Sequence, residues 1–237
     1  MYNVSTREPW IKAVQKAFKS KYPEEDFRKI ASKSMVGLLI IVIVKAEHVP
    51  KIGKFTESSA SCGILGFVVN KGVVAVRFKI YIDYICFVNC HLAAHPNQVL
   101  RRNQDFADLH KRKLFSTAAS RSLVAKNNRH ESFTDSYWHI KGYLGIEDCD
   151  VLIWLGDFNY RVDMESQLVR IFVLHGQYDS VLSNDQTLIQ KNNNQEYFSR
   201  YNEAEINFAP SYSFDTGTDN YDTSKKQRVP SWCDRII

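Results

Sequence analysis

Val151-Leu152-Ile153-Trp154-Leu155-Gly156-Asp157-Phe158-Asn159-Tyr160-Arg161 is the stretch whose reading decides the fold. Val151 to Leu155 is a short apolar run with the length and branching of a buried strand, and it gives way at once to polar residues. Gly156 permits a tight backbone turn at the junction. Two other segments are built the same way: Asn89-Cys90-His91-Leu92-Ala93-Ala94-His95 follows the run Ile85 to Val88, and Arg228-Val229-Pro230-Ser231-Trp232-Cys233-Asp234-Arg235-Ile236 lies near the end. Met35 to Val44, Ile64 to Val69, Val74 to Ile82 and Ile85 to Cys90 read as strands. Val74, Val76, Phe78, Ile80 and Ile82 alternate, and a hairpin is expected around Asp83. Trp10, Val14, Ala17 and Phe18 stand at helical spacing ahead of Pro23. Phe106, Leu109 and Leu114 mark a surface helix between Arg101 and Leu114, and Leu168, Ile171, Phe172 and His175 form one helical face. Lys191 to Gln195 reads as a loop. Strands mixed with sparse helices predict an α/β domain of two packed sheets flanked by helices.

The totals bound the rest. At 237 residues, 44% hydrophobic and 24% charged, the chain can bury a sizeable core and is expected to form one domain. Its five cysteines are odd in number and include no paired metal spacing, which excludes a disulfide scaffold and favours a reducing cytosol. The longest apolar run, Met35 to Val44, falls short of the roughly 18 residues of a membrane-spanning helix. A net charge of +5 favours anionic partners.

The chemistry sits in the three polar clusters. Asp157 and Asn159, two apart, face one side if the chain stays extended. There the acid could take a proton from water and the amide could donate to a phosphoryl oxygen. The bland alternative is an Asp/Asn turn after a strand. His91 stands where its strand should end, and a lone histidine there is more often structural. Pro230 biases Val229 towards an extended backbone, so Lys226 and Arg228 can project together as a cationic clamp for phosphate. Asp234, behind Trp232, reads as a buried acid able to orient a histidine or a water.

Trp154 to Arg161 and Pro230 to Ile236 resemble, in order and separation, the two signature motifs of the inositol polyphosphate 5-phosphatases. Further likeness runs through Asn70-Lys71-Gly72, Val88 to His95, Arg101 to Asp105 and Phe208 to Ser224, nearest to the type II and Lowe syndrome (oculocerebrorenal) branch. The resemblance implies the α/β sandwich shared with deoxyribonuclease and the apurinic endonucleases. It implies magnesium-dependent hydrolysis of an inositol 5-phosphate by an activated water. It places Asp157, Asn159 and His91 at the scissile phosphate, with Asp234 supporting a catalytic histidine. Tyr212, Lys226 and Arg228 would bind the ring 4-phosphate, and Lys71 is a weaker phosphate contact. The implied substrate is a phosphoinositide such as phosphatidylinositol 4,5-bisphosphate, met by a cytoplasmic protein peripheral on membranes and indifferent to nucleic acid.

Several positions depart from the family pattern. Ser213 stands where a lysine is usual after Tyr212, Val73 replaces a second glycine after Gly72, and Ala204 replaces another. Tyr2-Asn3-Val4 mimics the family's opening strand. The Gln-Glu strand that supplies a metal-holding glutamate and the closing Ser-Asp-His are not found, so no metal ligand is assigned. Residues 1–237 therefore read as a catalytic domain incomplete at both ends, expected to show little turnover alone. Two other readings stay open: a non-catalytic phosphoinositide-binding remnant, and a nuclease of the same fold.

Overall fold

The structure is a computed structural model in which residues 7–62, 70–116, 142–193 and 198–237 are described. The Ile64 to Val69 strand and the Tyr2-Asn3-Val4 mimic lie outside them. The chain groups into two compact units, Met1–Cys90 with Asp108–Trp154, and His91–Ala107 with Leu155–Ile237.

The first unit opens with helix α1 (Arg7–Lys21), followed by strands β1 (Phe27–Met35) and β2 (Leu38–Lys45), which pair antiparallel. Met35 to Val44 is thus no single strand, because Gly37, at φ +76°, turns the chain in a conformation that side chains rarely adopt. Strands β3 (Ile52–Ser61) and β4 (Gly72–Ile80) pair antiparallel, with β5 (Asp83–His91) beside β4 after the two-residue turn Tyr81–Ile82. That turn is the expected hairpin, and it leaves Ile82 exposed rather than continuing the alternation. The short strands β6 (Phe115–Ser116) and β7 (Tyr143–Leu144) pair with each other, and β8 (Val151–Asp157) neighbours β5.

Ala31, Leu38, Ile40 and Val42 of the first pair pack on Val74, Val76 and Phe78 of β4. Two sheets therefore close face to face over branched aliphatic side chains, the sandwich that the strand pattern predicts. Helix α1 buries Ile11 and brings Phe18 against Tyr22 and Phe27, whereas Trp10 points to solvent. None of the five cysteines is in a disulfide.

In the second unit the end of β8 pairs antiparallel with β9 (Asp234–Ile236), setting Leu155 opposite Ile236, Gly156 opposite Arg235 and Asp157 opposite Asp234. Helix α2 (Val99–Lys111) contributes its Val99–Ala107 part, ending before the expected Leu114. Phe106 stacks on Phe198 at 4.2 Å and touches Phe158 and Tyr201. Three helices follow, α3 (Ser166–Leu174), α4 (Tyr178–Leu182) and α5 (Gln186–Asn192). The Glu165 side chain caps α3 through Leu168 N, and Asp185 caps α5 through Leu188 N. Lys191 and Asn192 thus close a helix rather than begin a loop. Helix α3 turns part of its expected face outward: Leu168 and Ile171 are exposed, whereas Phe172 of that face packs with Val169 and Val173 beside Val162, Val181 and Trp232.

Candidate active site

Strand β5 ends at His91 and β8 ends at Asp157, and the chain holds these two ends together: Leu92 N donates to Asp157 O at 2.9 Å. His91 Nε2 then lies 3.2 Å from Asp157 Oδ2. Beyond Asp157 the strand does not stay extended. Asn159 takes a left-handed φ of +58°, a conformation that asparagine tolerates better than most residues. Its backbone N–H donates to Asp157 Oδ1 at 2.9 Å, so the bland Asp/Asn turn and the site are one structure.

The turn changes what Asn159 does. Its side chain is buried, and Nδ2 donates to Leu92 O at 3.0 Å and to Asp157 Oδ2 at 3.1 Å. Both amide hydrogens are therefore engaged on protein acceptors. The amide aligns Asp157 instead of pointing a donor at an incoming phosphate. On its other end, Asn159 Oδ1 accepts from the Arg161 guanidinium.

Asp234 faces Asp157 across β8 and β9. It is exposed, so the expectation of a buried acid behind Trp232 fails; the buried member of the Asp234-Arg235 pair is Arg235. Partial desolvation raises the Asp234 carboxyl above its ordinary value, and the Asp157 charge adds to this, against His91 and Arg161. Two carboxylates and an imidazole thus meet at one sheet end, a grouping typical of a proton-handling site. Burial pushes the neighbouring Cys233 thiol up to about 12, which removes it as a nucleophile at neutral pH.

Tyr212 is held by reciprocal backbone bonds with Ser231, and the Arg161 guanidinium lies over its ring at 4.1 Å. Arg228 is half-exposed, with its guanidinium 3.0 Å from Asp222 Oδ2, and Asp222 also accepts Arg228 N. Lys226 is exposed, but Gln227 between the two cations has φ +39° and the chain turns from Ser224 to Gln227. The clamp is therefore not a pair on an extended strand, as Pro230 led us to expect. Lys71 belongs to the other unit, at the turn before β4, where its carbonyl accepts Cys62 N.

Buried polar residues missed at the level of sequence hold this arrangement. Arg102, fully buried, donates to the carbonyls of Ala93, His95 and Pro96 and to Gln186 Oε1 at 2.7 Å. Gln186 Oε1 also accepts Arg161 N. Arg235 is gripped by Glu203 through two bonds of 2.6 and 2.7 Å and by Asp185 at 3.0 Å. A cleft of about 470 Å³ beside Asp234 is lined by Glu203, Glu205, Phe208 and Ile236, and its acids disfavour phosphate.

The model of Endonuclease/Exonuclease/phosphatase family 2 matches residues 1–237. The chain belongs to this family. Among family members, the type II inositol 1,4,5-trisphosphate 5-phosphatase of Mus musculus is 34% identical over 237 residues, covering 100% of this chain and 22% of that protein. The synaptojanin of Caenorhabditis elegans is 33% identical over 228 residues, 96% of this chain and 18% of that one. The chain thus spans about a fifth of these relatives. The inositol polyphosphate 5-phosphatase domain of a synaptojanin, solved with inositol (1,4)-bisphosphate and a calcium ion, superposes with a TM-score of 0.78 at 29% identity, over 99% of this chain and 61% of that one. The family resemblance read from the motifs and the α/β fold are borne out. Cimex nitrophorin, at 19% identity and a TM-score of 0.62, shares the fold alone.

Proposed function

We propose that this chain carries the hydrolytic centre of an inositol polyphosphate 5-phosphatase, acting on a phosphoinositide headgroup such as that of phosphatidylinositol 4,5-bisphosphate at a cytoplasmic membrane surface. The observation that carries the reading is the meeting of Asp157, Asn159, His91 and Asp234 at one strand end, with Tyr212 linked to Asn159 through Arg161 and with Arg228 in the same unit. The likeness to an inositol-bisphosphate-bound domain supports it.

In this reading the scissile phosphate sits against His91, whose N–H donates to a phosphoryl oxygen as negative charge gathers there. Asp157, aligned by Asn159, orients the attacking water and accepts its proton. Arg228 and Lys226 take the ring 4-phosphate, with Asp222 fixing the Arg228 guanidinium. Magnesium is the ion the family resemblance implies. Among the described residues, however, no group of three His, Cys, Asp or Glu side chains is placed to hold a metal, so these residues alone do not fit a metal cage.

That same observation favours a second reading, headgroup binding without turnover. Phosphate release from inositol 1,4,5-trisphosphate, measured beside binding of inositol 1,4-bisphosphate, separates the two. Turnover that falls about 10²–10⁴-fold in Asp157→Ala with binding nearly kept supports the hydrolase. Binding without release in the unsubstituted chain supports the second reading, and neither activity refutes both.

A further inference from the structure

The Arg161 side chain touches both Asn159 and Tyr212. Its backbone is fixed on both sides of the peptide by Gln186, whose Oε1 accepts Arg161 N at 2.9 Å and whose N–H donates to Arg161 O at 2.8 Å. The guanidinium is buried, donates through Nε to Asn159 O at 3.1 Å and through Nη2 to Asn159 Oδ1, and covers the Tyr212 ring.

The chemistry of the partners makes this arrangement directional. Guanidinium has donors only, so the end of the Asn159 amide facing Arg161 must be its oxygen. The nitrogen is thereby turned towards Leu92 O and Asp157 Oδ2, where it can donate. Were the amide reversed, two donors would face each other at Arg161 and three acceptors would meet at Asp157, each a buried mismatch. The other contact of the guanidinium is with the π-face of Tyr212, an attraction that strengthens on desolvation. A ligand that seats on the part of Tyr212 left open by Arg161 dries the surroundings of the ring and strengthens the stack, and the Arg161 fork is then held more firmly on Asn159.

We propose that Arg161 is the positioning residue that couples occupancy of the Tyr212 subsite to the alignment of Asn159 and Asp157. The inference rests on the proposed reading of Tyr212 as part of the inositol-phosphate subsite. Arg161 is not itself placed on the reacting atoms. Its effect passes through the Asn159 amide.

The test reads the amide directly. In the 237-residue chain, the Asn159 Nδ2 resonances are followed by ¹⁵N-correlated NMR while inositol 1,4-bisphosphate or inositol 1-phosphate is added, and affinities are measured by calorimetry. In the unsubstituted chain, inositol 1,4-bisphosphate is expected to shift both Asn159 side-chain protons and slow their exchange. Arg161→Lys keeps the charge but loses the planar fork, so it should abolish that response and weaken inositol 1,4-bisphosphate by roughly 3- to 30-fold. Tyr212→Leu leaves the Arg161 bonds to Asn159 intact and should also abolish the response, which keeps the test available if Arg161→Lys unfolds. The two substitutions together should weaken binding by less than the product of their separate effects. An Asn159 amide that responds equally to inositol 1,4-bisphosphate in all variants overturns the coupling. If Tyr212→Leu changes neither ligand's affinity, the subsite reading has failed and the coupling with it, while a changed Asn159 spectrum in ligand-free Arg161→Lys would still identify the Arg161–Asn159 clamp. No binding by the unsubstituted chain overturns both.

Discussion

Arg235→Met should destabilise the second unit severely, and the size of the loss follows from its surroundings. The Arg235 side chain is 2% exposed, and the carboxylates it neutralises, Asp185 and Glu203, are 0% and 12% exposed. Methionine fills the volume of the stem but leaves both acids buried without a cation. Breaking a buried pair from one side costs about 3–5 kcal/mol. At about 2–4 °C per kcal/mol for a chain of this length, the melting temperature at pH 7 should drop by roughly 6–20 °C. The pH dependence has a definite sign. Burial already raises the Asp185 carboxyl, with Arg235 pulling against it. Without Arg235 the Asp185 carboxyl protonates more readily in the folded state than in the unfolded chain, so the deficit should shrink as pH falls from 7 towards 5. Melting followed by circular dichroism at several pH values measures both effects. Adding Asp185→Asn and Glu203→Gln to Arg235→Met should recover part of the loss. A drop below about 3 °C at pH 7, or a deficit that grows on acidification, would refute the argument that this triad is held by charge. The loss also bears on function, because Arg235 pins the strand that sets Asp234 opposite Asp157.

Gly72→Ala should destabilise the first unit by about 2–3 kcal/mol or more in urea denaturation, since Gly72 has φ +147° and a Cβ there would lie 2.0 Å from Ala60 O. Asp234→Asn should raise the melting temperature at pH 7: the folded carboxyl is raised above its unfolded value, so its ionisation penalises the fold once pH exceeds that range, and the gain should vanish near pH 3. Calorimetry should find no saturable magnesium binding by the chain alone at low millimolar concentration and a clear signal once inositol 1,4-bisphosphate is present, because magnesium relies on substrate phosphate to complete its shell. Tight binding without ligand would show a metal site outside the described residues. Phe106→Ala, deleting a ring stacked on Phe198, should cost about 3–5 kcal/mol by the same denaturation assay.

What could be read from the sequence was whatever depends on neighbours along the chain. Val151 to Leu155 announces a strand by composition, although only Trp154 of it is buried and Val151 is exposed, and Gly156-Asp157-Phe158-Asn159 announces a turn by the habit of Asp and Asn to bond their own backbone two residues on. His91 and Asp157 could therefore be placed at strand ends. Which faces were buried was less legible. Helical period puts Leu168, Ile171 and Phe172 on one side of α3 but does not say where that face ends, and in the structure the buried face runs through Phe172 to Val169 and Val173. Alternation gave Lys226 and Arg228 a common side only on the assumption of an extended chain, which Gln227 breaks.

The buried charges were illegible for a different reason. Arg102, Arg161, Asp185 and Arg235 are residue types that are almost never buried unless paired, and their partners stand far off in sequence, 84 residues between Arg102 and Gln186 and 50 between Arg235 and Asp185. Local composition therefore gives a solvated surface as the default for each. Yet these residues decide the site. Arg102 holds the loop after His91 from below and shares Gln186 Oε1 with the backbone of Arg161; Arg161 sets the sense of the Asn159 amide; Asn159 sets Asp157. Donor-only guanidiniums facing the oxygens of the Gln186 and Asn159 amides leave one satisfied arrangement and no inexpensive alternative, since reversing either amide leaves buried polar atoms mismatched. In the proposed reading the motif residues supply the reactive groups. The distant cations determine the single orientation in which those groups can act together.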